Sequence, residues 1–289
     1  MTNYPSPRVI LTIDYEPWFA LFSRFDSIQD YGWRQSLDAG FSSWALEPIL
    51  EKLGNKKISF YLVGEIANWY PDIPERIVSA GHELGFHCQV HRPLTTLAEL
   101  QKDLDSSESW RKKYGVRGYR APMVQTIEQA YPLLKKAGFE YSSSIYAPSG
   151  LLIQKEGIWE LPVSTIHLGK GTRGVYIAPR HYSLKLLLNR EIPYGSSFTI
   201  GFSSRFVLQS LEKDMRMGYS PVIFLHPYEI ARSAPWAGRI WRNVLINPHL
   251  IPFAKDKSGF LSELLKSFSI STLGAYLDEL LKLRDASHA

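Results

Sequence analysis

"RVILTIDY", residues 8–15, decides how the chain folds. It is short, apolar and β-branched, and lacks the strict alternation of a half-solvated strand. Such a run is a strand buried on both faces, as in a parallel sheet. It closes on Asp14, and Glu16 stands two places further on. "KISFYLVG" (57–64), "HELGFH" (82–87), "VRGYRAP" (116–122) and "PVIFLH" (221–226) read as further strands, and "YSSSIY", "IWELPV" and "VYIA" as shorter ones. Helical patterns separate them: 43–54 and 72–81, closing on Gly54 and Gly81, then 95–113, a segment ending at Gly138, and 205–217. Thr96 and Glu99 have capping-box spacing, and Leu97, Leu100 and Leu104 fall on one face. Thr126 and Gln129 repeat the capping pattern before the next helix.

Strand and helix alternating about seven times predict a parallel α/β sheet with helical crossovers. A closed or nearly closed barrel fits that many units best; an open doubly wound sheet is the second choice. The reading divides the chain into a barrel, 1–230, and a C-terminal helical extension packed on it, 231–289, with 258–284 as a terminal helix.

The 289 residues are 45% hydrophobic and 21% charged, an ordinary globular balance. The single cysteine, Cys88, precludes an intrachain disulfide. The net charge of +5 is not gathered into a Lys/Arg run, which argues against nucleic-acid binding. No charged-then-apolar leader opens the chain, and no apolar run approaches the ~20 residues of a membrane span. The expectation is a cytoplasmic protein.

Barrels of this type carry their chemistry at the C-terminal ends of the strands. Asp14 and Glu16 end the first strand, His87 the third with His91 in the loop beyond, Arg120 the fourth and His226 the last. On a helical turn, His87 and His91 would face one ion. Cys88 occupies the place where a zinc protease has its glutamate base, so base and third ligand must come from elsewhere. Asp14 and Glu16 are the candidates, in either order. His82 begins a strand and reads as structural; Cys88 reads as packing.

"TIDYE", "GFHCQVH", "GYRAP", "WELPV" and "FLHP" occur in the order of the five motifs of the polysaccharide deacetylase family, the nodulation-type carbohydrate esterases, and the chain resembles that family over about 8–230. An Asp-x-Glu first motif with "WELP" and "LHPYE" resembles one subgroup of it. The resemblance implies a distorted (β/α)7 barrel and a metal-dependent N-deacetylase acting on an N-acetylated glycan: a polysaccharide, an oligosaccharide or a lipid-linked sugar. It implies His87 and His91 as metal ligands, Asp14 as catalytic base, Arg120 as its holder and His226 as acid. Met123 would give a backbone N–H to the oxyanion, and Trp159 would wall the substrate. The family's common motif has a metal-binding aspartate where Tyr15 stands, and the ligand role passes to Glu16. Glu160 is the candidate carboxylate partner of His226. Zn is the expected cofactor, with Co, Ni or Mn as alternatives. The runners-up are hydrolysis of another linear or cyclic amide and an inactive carbohydrate-binding relative. The stretch 233–253, with Trp236, Arg239, Trp241 and Arg242, reads as packed extension, sugar grip, or peripheral contact with a membrane and a lipid-linked substrate.

Overall fold

The computed structural model describes residues 5–169, 186 and 188–288. Val9–Tyr15 (β1) is buried along its whole length. Its neighbours show why. Val222–Leu225 (β11) and Ser59–Val63 (β2) flank it in parallel, with Ile13 opposite Leu225 on one side and Phe60 on the other. Glu83–Cys88 (β3), Gly118–Tyr119 (β4), Tyr141–Ser142 (β5) and Ile158–Glu160 (β8) extend the sheet in parallel, and Ile153–Lys155 (β7) ends it antiparallel. A second ribbon joins Tyr146–Pro148 (β6), Val163–His167 (β9) and Glu191–Ile192 (β10).

The two ribbons are halves of one parallel pair. Backbone bonds from Leu161 to Ser142 and from Val163 to Ile145 carry the ladder across the gap. Pro162, which has no N–H to give, sits at the break. This is why "YSSSIY" and "IWELPV" each yield two short strands. Among the described residues the staves are therefore β11, β1, β2, β3, β4, β5–β6 and β8–β9, the distorted (β/α)7 ring. β9 and β11 close it partly through Gly195, which donates to Ser164 (2.9 Å) and accepts from Phe224 (3.0 Å), and partly by the Val222 N–H donating to Ser164 Oγ (2.8 Å). A Cβ on Gly195 would lie 2.4 Å from the Val222 carbonyl oxygen, so only glycine fits.

Several expectations need correction. The helix Leu97–Lys113 has both capping-box bonds, but Leu97 is exposed while Leu100 and Leu104 are buried. The helix Ala130–Lys136 starts after Gln129 with no side-chain cap, so neither Thr126 nor Gln129 plays that part. The tail is not one helix. Ser258–Ser267 and Leu273–His288 are separated by Ile270–Ser271 (β12), which pairs in parallel with β1. The helix Tyr31–Asp38, capped by Asp30, has no counterpart in the sequence reading, while Ala234–Ile246 is the first helix of the C-terminal extension. "VYIA" lies outside the described residues.

Candidate active site

Along β1 the side chains alternate, so Thr12, Asp14 and Glu16 share one face and Tyr15 the other. Tyr15 is buried outside the ring, its hydroxyl donating to the Ser42 carbonyl at 2.5 Å. It cannot reach the ion its neighbours could hold.

Glu16, His87 and His91 each bring a ligating atom within 4.8 Å of the others, all three residues buried. Glu16 Oε2 lies 2.9 Å from His91 Nε2 and 3.7 Å from His87 Nε2. His87 is the last residue but one of β3, and His91 stands beyond it in a loop, not on a helical turn; the loop's fold brings the rings together at 5.3 Å. Asp103 braces that loop, accepting from the Gln89 N–H (3.0 Å) and from Arg92 (3.1 Å). His87 Nδ1 faces the Arg120 carbonyl oxygen at 2.7 Å. A proton on Nδ1 donates there and leaves the Nε2 lone pair toward Glu16, the orientation of a metal-ligating histidine. Two imidazoles and a carboxylate from three positions fit a divalent transition ion with open coordination sites. Without one, His91 and His226 outweigh the upward push of burial and hold the Glu16 carboxyl well below the usual range. His91 is raised in turn, its burial overcome by Glu16.

Two proton-handling groups flank this set. Arg120, with no exposure, donates from Nη1 to Asp14 Oδ1 (2.8 Å) and Thr12 Oγ1 (2.5 Å), and from Nε and Nη2 to Ser143 (2.9 and 2.8 Å). Its guanidinium lies 4.3 Å from the centre of the Tyr61 ring. Asp14 is thus a buried carboxylate with a fixed counter-charge.

His226 follows β11, stacked on Tyr228 at 5.0 Å, with Nε2 3.8 Å from Glu16 Oε1. Tyr228 donates to that same oxygen at 2.8 Å. The carboxylate beside His226 is Glu229, not Glu160. Pro227–Ile230 forms one helical turn that swings Glu229 back, placing Oε2 3.2 Å from Nδ1 and 2.8 Å from the His226 N–H. Behind Glu229, Lys257 and Ser197 both donate to Oε1, and Lys257 Nζ also reaches Ser197 Oγ at 2.7 Å. His226 is raised, because Glu229 and Glu16 outweigh burial. Glu229 is lowered, because Lys257 and His226 outweigh burial.

Glu160 instead accepts from the Ser144 N–H (2.6 Å) and Tyr131 (3.0 Å), and burial pushes its carboxyl up. Trp159 does not line the cavity; it points the other way along β8, with Arg284 of the terminal helix 5.4 Å over its ring. Met123 does line it, exposed, with a left-handed backbone (φ 58°), as has buried Val124 (φ 54°). Two such residues in succession, one of them β-branched, are strained, as binding sites often are. His82 is internal, accepting from the Ile58 N–H, and Cys88 is packed. Sequence reasoning missed Glu229, Lys257 and the apolar wall residues Leu21, Phe198, Leu250 and Phe253. With Asp14, Glu16, His87, His91 and His226, those four wall residues line a cavity of about 370 Å³.

Residues 3–142 match the family model for polysaccharide deacetylase. A Mycobacterium smegmatis protein assigned as a polysaccharide deacetylase shares the fold, at 18% identity over 91% of this chain and 92% of its own, TM-score 0.54. PuuE allantoinase does so at 13% identity over 90% of each chain, TM-score 0.54. No curated protein sequence matches the chain.

Proposed function

Taking residues 3–142 as a polysaccharide deacetylase domain, we propose that the protein is a metal-dependent N-deacetylase that releases acetate from an N-acetylated glycan. One observation carries this reading. Three metal-type donors, an arginine-held carboxylate and a carboxylate-held histidine meet in one cavity.

A divalent ion on Glu16, His87 and His91, with Zn the best match and Co, Ni or Mn as alternatives, supplies Lewis acidity toward water and an amide carbonyl. The residues handle protons and position. Asp14, aimed by its 2.8 Å bond from Arg120, takes the proton of the attacking water. Met123, on its left-handed turn, is assigned the backbone donor for the developing oxyanion. His226, protonated and steadied by Glu229, gives its proton to the departing nitrogen. The C–N bond breaks, and acetate and a free amine leave.

Metal content of untagged protein beside His87→Ala, followed by acetate release from N-acetylglucosamine oligomers, tests this. Near-stoichiometric metal lost in the variant, with turnover lost alongside, is the expected result. No metal on the wild type after soaking in Zn or Co rejects it. A second reading, hydrolysis of a small or cyclic amide, is favoured by the apolar lining that Leu21, Phe198 and Phe253 give the cavity. Turnover of a cyclic ureide without turnover of the oligomers would select it.

A further inference from the structure

The helix Ala234–Ile246 packs Ile240 and Val244 into the core, yet it is apolar on its outer side as well. Its polar Asn243 faces inward, accepting from Arg24 and donating to the Arg239 carbonyl at 2.7 Å. Its Trp241, Leu245 and Ile246 face outward, with Leu245 79% and Ile246 68% exposed. A helix on a soluble domain ordinarily keeps its outer face polar. Ile251 and Phe202 are exposed as well. The Phe202 ring lies 4.9 Å from Phe198, which lies 5.4 Å from Phe253, and both of these line the cavity. The apolar surface therefore runs onto the rim of the candidate active site.

Charge narrows the choice of occupant. Residues 231–255 contain Arg232, Arg239, Arg242 and Lys255 and no aspartate or glutamate. Arg239 and Arg242 are exposed on the same helix as Leu245. Bulky aliphatic side chains among unopposed cations match an anionic lipid surface, where the former enter the acyl boundary and the latter meet headgroups. A symmetric contact of this stretch with a second copy would bring cations together with no carboxylate within 231–255 to offset them, which opposes it. Among the described residues no helix is long and apolar enough to cross a membrane, so the helix would lie in the interface.

We propose that the outward face of Ala234–Ile246, with Ile251 and Phe202, docks on an anionic lipid bilayer and presents the cavity rim to the headgroup layer. Joined to the deacetylase reading, on which this clause rests, the docking makes an acetamido sugar carried on a lipid the substrate class. The docking itself does not depend on that reading.

Co-sedimentation with phosphatidylglycerol–phosphatidylcholine vesicles, against pure phosphatidylcholine, tests it with no turnover involved. The wild type should bind the anionic vesicles, and less so in high salt. Leu245→Glu with Ile246→Glu, and separately Arg239→Glu with Arg242→Glu, should each weaken binding by at least about tenfold while leaving the thermal melt in place. Three results would overturn the proposal. They are no binding by the wild type, equal binding by both double variants, or a dimer in sedimentation velocity that Leu245→Glu with Ile246→Glu splits. Vesicle binding lost with metal retained defeats the docking alone; metal absent with vesicle binding retained defeats the deacetylase reading alone.

Discussion

Two histidines stand near the two ends of β3, and they live in different chemical worlds. His82, just before the strand, is internal. Its Nδ1 accepts from the Ile58 N–H at 3.3 Å, its ring meets Phe60 edge-on at 5.2 Å, and burial with Lys57 nearby pushes it down to about 4. His87, near the far end, directs Nδ1 at the Arg120 carbonyl and Nε2 at Glu16. The contrast extends to the whole ring. At the N-terminal ends, polar groups tie structure to structure. Glu83 accepts from Ser59 (2.5 Å), Tyr141 (2.5 Å) and the Gly274 N–H (3.0 Å), and Arg117 reaches Asp278, so the terminal helix is fastened to the barrel. At the C-terminal ends, polar groups converge on a cavity. A parallel barrel divides its labour this way because the strands deliver side chains to both ends, while the loops at the C-terminal end are left to build a site.

The comparison breaks if a C-terminal-end residue proves structural. Asp14→Asn is the sharpest trial. It should cut kcat by about 10⁴-fold while leaving metal content and melting temperature near the wild type. Loss of metal instead would exchange the roles of Asp14 and Glu16. Arg120→Met should behave differently from other residues at this end. It strands the buried Asp14 charge, and urea denaturation should show a loss of about 4 kcal/mol as well as lost turnover. At the opposite end, His82 links stability to pH. Its folded-state value, about 4, lies below the roughly 6.5 of an unfolded histidine. The unfolded chain therefore takes up the proton first as pH falls. The contribution is intact above about 6.5, declines toward 4 and is then spent, a total of about 3 kcal/mol. Urea midpoints across that window should fall less steeply for His82→Asn than for the wild type.

Much of the ring was legible because its strands are locally apolar and end in carboxylate, imidazole or guanidinium side chains. The period of two in "TIDYE" places Asp14 and Glu16 together and sends Tyr15 away, which is why a glutamate one position late still joins His87 and His91. The family resemblance, not the period, put Trp159 beside the substrate. Trp159 neighbours Glu160, so the two point to opposite faces of β8, and neither reaches the cavity. Glu229 had a local signal that went unused. "HPYE" carries proline at the first helical position and glutamate at the third, a capping box that folds Glu229 back on His226. Lys257 had none, because its contact with Glu229 spans 28 residues and depends on how the extension packs.

Glu229→Gln tests whether that partner serves chemistry or merely packing. It should lower kcat by about a hundredfold with KM nearly unchanged, and Glu229→Asp should recover part of the loss. Equal losses from both variants, tracking a lowered melting temperature, would make Glu229 a packing residue and weaken the division between the two ends. The smallest effect belongs to Arg117 at the N-terminal end. Its guanidinium meets Glu140 at 3.0 Å and Asp278 at 3.0 and 3.1 Å, with partners 38–49% exposed. Solvent screens such pairs, so Arg117→Met should cost about 1 kcal/mol or less in urea denaturation. It should leave kcat and KM untouched, because the fastening of the terminal helix lies at the opposite end of the strands from Asp14. A change in KM would mean that the terminal helix transmits strain along the strands to the cavity, and the two ends would then be coupled.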